Sequence, residues 1–246
     1  MLYIVSTPIG NLKDITFRAI EVLKKSDLIL AEDTRISGVL MRKYGITTEM
    51  RSFHKFNEKG CEKEVLALLK KRNKIALISD AGTPGICDPG AGLIRKCGES
   101  HIQIEVVPGP CAAIAALSLF GSKENFQFIG FLEKKGKKQF IDIIYYPGLT
   151  IAYESPHHLM KTLESMNEIA PQSKIFIARE LTKLYEETLE GTPQELIEHF
   201  KKKKILGEYV LVFPGNKNPF EKDPQKLMEE IQELFEISAK AVSYTH

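Results

Sequence analysis

Short apolar runs rich in β-branched residues alternate with stretches of helical periodicity through most of the chain. Such runs at Leu2 to Ser6, Leu28 to Glu32, Met50 to Phe53, Ile75 to Ser79 and Ile104 to Val107 predict strands. Between them, apolar positions recur at helical spacing near Ile15 to Lys25, Arg35 to Tyr44, Glu58 to Lys71 and Gly90 to Cys97. A further segment, Cys111 to Leu119, is Ala-rich and apolar nearly all round, which predicts a buried helix. This alternation predicts a largely parallel sheet with helices on both faces.

The rhythm breaks at Phe120-Gly121-Ser122-Lys123-Glu124-Asn125, a polar, turn-rich stretch. Beyond it, strands are predicted at Phe126 to Leu132, Thr150 to Glu154, Lys174 to Arg179, Glu186 to Glu190 and Glu208 to Phe213. Helices fit near Lys138 to Tyr145, His157 to Ile169, Pro193 to Phe200 and Pro224 to Lys240. Only a few residues join the strands around Arg179 and Glu187, and so short a link demands an antiparallel pair. The expectation is an α/β protein of two lobes. Residues 1–120 carry a mainly parallel sheet, and residues 121–246 carry a mixed one and end in a charged helix.

Composition adds limits rather than identity. The 246 residues are 43% hydrophobic and 27% charged, as in an ordinary globular protein. No apolar run approaches the roughly eighteen residues of a membrane span. The opening Leu2-Tyr3-Ile4-Val5 lacks the basic-then-apolar pattern of a secretory signal, so a cytoplasmic protein is expected. Cys61, Cys87, Cys97 and Cys111 show no zinc-knuckle spacing and the histidines are scattered, so no metal site is expected. The formal charge is only +2, but Lys70-Lys71-Arg72, Lys134 to Lys138 and Lys201 to Lys204 are local basic clusters. These suit either a phosphate backbone or a solvated helix end.

In an open parallel sheet, ligands bind beyond the carboxyl ends of the strands. The loop after the first strand, Ser6 to Asp14, is a rigid polar turn or a ligand loop, with Asp14 placed to cap the helix near Ile15. The loop after the fourth, Ser79 to Gly92, holds four glycines and two prolines in fourteen residues, together with Asp80 and Asp88. That composition brings backbone close to a ligand, and the two carboxylates suit ribose hydroxyls or an amino group. Neither G-x-G-x-x-G nor G-K-[ST] is present, so a ligand with a ribose and a positive charge but no phosphate fits better than NAD or ATP. S-adenosylmethionine is such a ligand. The third loop, Val107 to Ala113, starts a helix with Pro and small residues. In the second lobe, Tyr153 to His157 and Ala178 to Lys183 put ionisable groups at strand ends, either as site or as scaffold.

The ordered series S-T-P-I-G-N-L-x-D-I-T, A-E-D-T-R, S-D-A-G-T-P, D-P-G, P-G-P, Y-E-S-P-H, A-R-E-L-T-K and G-E-Y-V-L-V resembles the tetrapyrrole methylase superfamily. Within it, the series is most similar to the ribosomal RNA small-subunit methyltransferase I family. The resemblance runs from about Leu2 to Gly215. It implies a bilobed homodimer that folds S-adenosylmethionine into the cleft between lobes and methylates the 2′-hydroxyl of a cytidine ribose in 16S rRNA. By position, Pro8, Gly10, Asp80, Ala81, Gly82, Asp88, Cys111, Ala112, Tyr153, Arg179 and Leu181 would meet the cofactor. The implied partner is small-subunit rRNA or the assembled small subunit, with no membrane or DNA partner. The chain departs from the family pattern in having Phe56 and Tyr185 where His is common, and His158 where Arg is. It also ends soon after one helix, where members commonly continue with a small helical extension.

Methyl transfer to a ribose hydroxyl needs a positioned base. Glu32, Asp33, His54 and Glu58 lie on the expected ligand edge; Asp33 or His54 is favoured as base, with Arg35 orienting a phosphate. Glu32, Asp33 and Arg35 would equally serve as a helix cap and ion-pair cluster. Lys134, Lys135, Lys137 and Lys138 follow a strand end and are the expected RNA contacts. Rival readings are a tetrapyrrole precursor or a protein residue as methyl acceptor, and a non-catalytic RNA- or nucleotide-binding module.

Overall fold

The computed structural model describes residues 1–133 and 137–215. The helix expected at Pro224 to Lys240 lies outside these, as do Lys134 and Lys135 and the side chain of Lys137.

Five strands, β1 (Leu2–Val5), β2 (Leu28–Ala31), β3 (Met50–Ser52), β4 (Ile75–Ile78) and β5 (Ile104–Val107), form a sheet in the order β3-β2-β4-β1-β5. Every pairing in it is parallel, as expected from the strand–helix alternation. The central strands β2 and β4 are buried at every position because helices cover both faces. Side-chain alternation divides them: Leu28, Leu30, Ile75 and Leu77 pack against Val65 and Leu69 of α3 (Glu58–Lys70) and Leu93 of α4 (Ala91–Glu99). Ile29, Ala31, Ala76 and Ile78 face the other way, onto Ala19 and Leu23 of α1 (Phe17–Lys25) and Leu40 and Met41 of α2 (Thr34–Tyr44). In this order β4 lies between β1 and β2, so the first crossover passes over it. The loops after β1 and β4 therefore emerge side by side, where such sheets bind ligands.

The second sheet contains β6 (Phe126–Phe131), β7 (Leu149–Glu154), β8 (Ile175–Arg179), β9 (Glu187–Gly191) and β10 (Tyr209–Pro214), in the order β6-β7-β10-β8-β9. β6 and β7 are parallel, and the remaining pairs are antiparallel, including the expected β8–β9 pair. One face is covered by α6 (Lys137–Tyr145), α7 (Leu159–Ile169) and α8 (Pro193–Lys201). α8 starts sharply: Thr192 and Glu195 cap each other's backbone amides and Pro193 opens the helix.

α5 (Ala112–Phe120) covers the opposite face of this second sheet, although it precedes it in the chain. Ala113 and Ala116 are buried against Ile151, Ala178 and Val210, and Phe120 meets Phe176 edge-on at 5.5 Å. The expectation of a helix buried all round needs correction, because Ile114 and Leu119 are about half exposed, at 49% and 51%. A helix lying on one sheet buries one side only, and its composition alone does not say which. Among the described residues, no helix is long and apolar enough to cross a membrane.

The expected cap of α1 is also corrected. Asp14 ends a short 3-10 turn (Leu12–Asp14), and Thr16 caps the helix, its hydroxyl accepting from the Ala19 amide at 3.0 Å. Thr16→Ala is therefore expected to cost about 1 kcal/mol in urea unfolding. Asp14→Ala should cost less than half of that; equal losses would return the cap to Asp14.

Candidate functional site

Three loops leave the carboxyl ends of β1, β4 and β5 and are laced together. Thr7 and Gly82 exchange backbone hydrogen bonds of 2.8 and 3.1 Å, and the Thr7 hydroxyl donates to the Ser79 carbonyl at 2.9 Å. The Ser6 and Thr83 hydroxyls lie 2.8 Å apart. The Gly-rich loop is thus clamped to the first loop rather than free in solvent. Its end is fixed by Gly90, whose φ of +122° suits glycine and where a Cβ would lie 2.5 Å from Leu77.

The second lobe closes on this edge through the turn after β8. Glu180 and Thr182 have φ of +51° and +65°, a conformation unfavourable for side chains of this kind. The turn is held from several sides. The Glu208 amide donates to the Glu180 carboxylate at 3.0 Å, and the Lys183 ammonium spans Glu180 and Glu208 at 2.8 and 2.9 Å. Thr182 in turn accepts from the Asn11 amide at 2.9 Å. At Gly10, an added Cβ would stand 2.5 Å from Lys183 Cγ, 2.7 Å from the Thr182 hydroxyl and 2.9 Å from the Leu181 carbonyl. Here the loop after β1 lies against the Lys183 and Thr182 side chains and the Leu181 carbonyl of the turn after β8.

Between them opens a cleft of about 320 Å³. Of the residues expected at the cofactor, Ala81, Gly82, Asp88, Cys111, Ala112, Tyr153 and Leu181 line it. Pro8, Gly10, Asp80 and Arg179 are not among its lining residues. Arg179 is occupied elsewhere, donating to the Leu206 carbonyl at 2.7 Å and pairing with Glu187 at 3.4 Å. The wall also includes Ile9, Ile86 and Cys87, and Phe131 and Tyr209 from the second sheet. Ile9 lies between two residues that the motif itself marks. Phe131 reaches the cleft through a register shift in β6 after Phe128, near Gly130 at φ +73°, which no strand pattern announces. It meets Tyr153 edge-on at 5.5 Å; burial pushes the Tyr153 phenol up, so it stays protonated.

Charge in the cleft has one sign. Its described lining includes Asp88, Glu154 and Glu208 and no Lys, Arg or His. Behind Asp88 stand Asp80, which accepts from the Asp33 amide at 3.0 Å, and Glu32. Burial, then the charges of Asp88 and Asp80, hold the Glu32 carboxyl above its ordinary range. Asp88 is raised first by burial and then by its acidic neighbours, and Asp80 chiefly by burial.

The other expected catalytic groups are differently placed. The Asp33 carboxylate is bound by Arg35 at 2.5 Å and caps α2 through the Arg35 amide at 2.8 Å, which lowers its pKa to about 2. Arg35 is otherwise solvent-facing, with its side chain 89% exposed. His54 Nδ1 accepts from the Phe56 and Asn57 amides at 3.3 and 3.2 Å, so neutral His54 carries its proton on Nε2. The Glu58 carboxylate accepts from the Gly90 amide at 3.2 Å, at the start of α4. Lys138 is exposed on α6.

This geometry meets its counterparts among known proteins. Residues 1–197 match the family described as Tetrapyrrole (Corrin/Porphyrin) Methylases. A ribosomal RNA small subunit methyltransferase I from Thermotoga maritima is 45% identical over 217 residues, covering 87% of this chain and 98% of that protein. The protein of the same name from Escherichia coli O157:H7 is 45% identical over 224 residues, covering 88% and 78% respectively. The chain belongs to the tetrapyrrole methylases, in their ribosomal RNA small subunit methyltransferase I branch. The fold extends to solved structures of much lower identity. A cobalt precorrin-4 methyltransferase superposes with a TM-score of 0.66 at 15% identity, covering 87% of this chain and 94% of its own.

Members of the family use S-adenosylmethionine, and the residues present fit it. The cofactor carries a sulfonium, an ammonium and a carboxylate, hence a net positive charge and no phosphate. An acid-lined cleft without cations suits that charge, and Ile9, Ile86, Phe131 and Tyr153 offer apolar surface for a purine.

Two outcomes follow. Gly10→Ala forces the two loops apart and is expected to cost roughly 1–3 kcal/mol. By calorimetry it should lower both the melting temperature and cofactor affinity. Asp88→Asn should move these two quantities in opposite directions. A carboxyl with a raised pKa binds protons more tightly in the folded state, so its charge disfavours folding as pH rises above the unfolded value. The ligand-free variant should therefore melt up to about 3 °C higher than wild type at pH 7, the gain shrinking as pH falls and gone only below about pH 3, where the unfolded carboxyl is also protonated. At pH 7 it should bind S-adenosylmethionine about tenfold more weakly. A lower melting temperature at pH 7 would show that Asp88 is a structural anchor instead.

Proposed function

We propose that this chain transfers the methyl group of S-adenosylmethionine to the 2′-hydroxyl of a cytidine ribose in 16S rRNA, with rRNA or the assembled small subunit as substrate. The observation that carries this reading is a cleft lined by Asp88, Glu154 and Glu208, with no Lys, Arg or His in its described lining and the Glu32 carboxylate behind it. S-adenosylmethionine supplies an electrophilic methyl group on a positively charged sulfur. Asp88, Tyr153, Leu181 and the Ala81–Gly82 backbone are the residues assigned to hold it, and the motif series supports RNA as acceptor. A homodimer and a cytoplasmic setting, expected from the resemblance, belong to the same proposal.

The geometry moves the base assignment from Asp33 or His54 to Glu32. A base with pKa near 2 accepts a proton poorly, and Asp33 is already engaged by Arg35 and the α2 amides. His54 offers a donor at Nε2, suited to holding an acceptor oxygen in place. Glu32 forms no ion pair with Lys or Arg among the described residues, and burial and its acidic neighbours raise its pKa, which makes it a stronger base than Asp33. Its role is to take the hydroxyl proton as the ribose oxygen attacks. Arg35 and the lysines at 134, 135, 137 and 138 are assigned to the RNA backbone.

The test is transfer of labelled methyl to small subunits lacking the modification, followed by alkaline digestion. A 2′-O-methyl group blocks attack on the adjacent phosphate, so the expected product is one labelled, alkali-resistant dinucleotide. Label that never enters RNA would overturn the substrate and point to a tetrapyrrole or protein acceptor. Glu32→Gln should lower turnover roughly 10²–10⁴-fold with cofactor affinity nearly unchanged. Wild-type activity should rise with pH as Glu32 loses its proton, and Glu32→Gln should lose that limb. A variant that turns over normally removes Glu32 from the chemistry.

A further inference from the structure

The turn between β3 and α3 is held more firmly than its surface position requires. Asn57 accepts from the His54 amide at 2.8 Å and donates to the Ser52 carbonyl at 2.9 Å, while His54 Nδ1 takes the amides of Phe56 and Asn57. The outcome is a fixed display of two rings: His54 and Phe56 lie edge to face with centroids 6.0 Å apart. Phe56 is 94% exposed, the most exposed large apolar side chain among the described residues. Lys55 and Lys59 flank it, both exposed and neither in an ion pair among the described residues. The turn follows the carboxyl end of β3, beside β2, so Phe56 stands on the same sheet edge as Glu32.

We infer that Phe56 is a stacking platform for an unpaired base of the substrate RNA, next to the nucleotide whose ribose is methylated. This rests on the proposed function and makes it more specific: the acceptor is single-stranded at the site. A rigid exposed ring costs little entropy to place against a base, and every base offers a π-face. Lys55 and Lys59 supply positive charge for the flanking phosphates, where an apolar protein partner would leave two ammonium groups unpaired.

The chain contains no tryptophan, so Phe56→Trp introduces a single fluorescent reporter at this position. Its emission should be quenched by a single-stranded cytidine-containing oligoribonucleotide and left unchanged by the same sequence in a duplex. Phe56→Ala should raise KM for unmodified small subunits roughly 5- to 100-fold, with kcat and S-adenosylmethionine affinity within about twofold of wild type. Phe56→Tyr should restore KM, and Phe56→Leu should not. Wild-type KM in Phe56→Ala, or equal quenching by duplex and single strand, would overturn the inference while leaving the enzyme's reaction intact. Loss of a dimer in Phe56→Ala would also overturn it, by making the ring a subunit contact. A wild-type protein that methylates no RNA would instead overturn the functional reading on which it rests.

Discussion

The whole site depends on how closely two loops approach at Gly10. There the loop after β1 lies against the Leu181–Lys183 turn, with room for a hydrogen and not for a carbon. That contact brings the edge of a parallel sheet to the edge of a mixed one and leaves the cleft between them. The turn on the far side adopts backbone angles that cost of order 1–3 kcal/mol at each of Glu180 and Thr182. The Glu180–Lys183–Glu208 network and the Asn11–Thr182 bond hold it there. The motifs around A-R-E-L-T-K and G-E-Y-V-L-V are therefore largely construction. Among these residues Leu181, Glu208, Tyr209 and Val210 reach the cleft wall, while Arg179, Glu180 and Lys183 keep it in position.

A second constraint is electrostatic. Keeping Glu32, Asp80 and Asp88 close together raises the free energy of the unliganded protein. A cationic ligand relieves part of that repulsion.

Much of this was legible in the amino-acid pattern, for a physical reason. Strands such as Ile75–Ile78 are covered on both faces, so their sequence is a plain apolar run, and the loops between them carry the glycines and prolines. What escaped was set by tertiary contact. The cap of α1 falls on Thr16 and not Asp14, because an intervening 3-10 turn changes the register by two residues. Pattern cannot reveal that β6 shifts register and delivers Phe131 to the cleft. Nor can it reveal that His54 has its Nδ1 engaged by the following amides, which separates a donor from a base. Pro8, Asp80 and Arg179 share motifs with lining residues, and only coordinates distinguish a wall from its support.

The position of α5 has a consequence for folding. It is encoded in the first half of the chain, begins at a loop that lines the cleft, and spends its buried face on the sheet of the second half. Cutting the chain after residue 120 would strip that sheet of one layer and leave the helix with no surface to cover. Neither half is complete when its own strands have formed. The two sheets are therefore expected to melt together, with the cleft built as they unite.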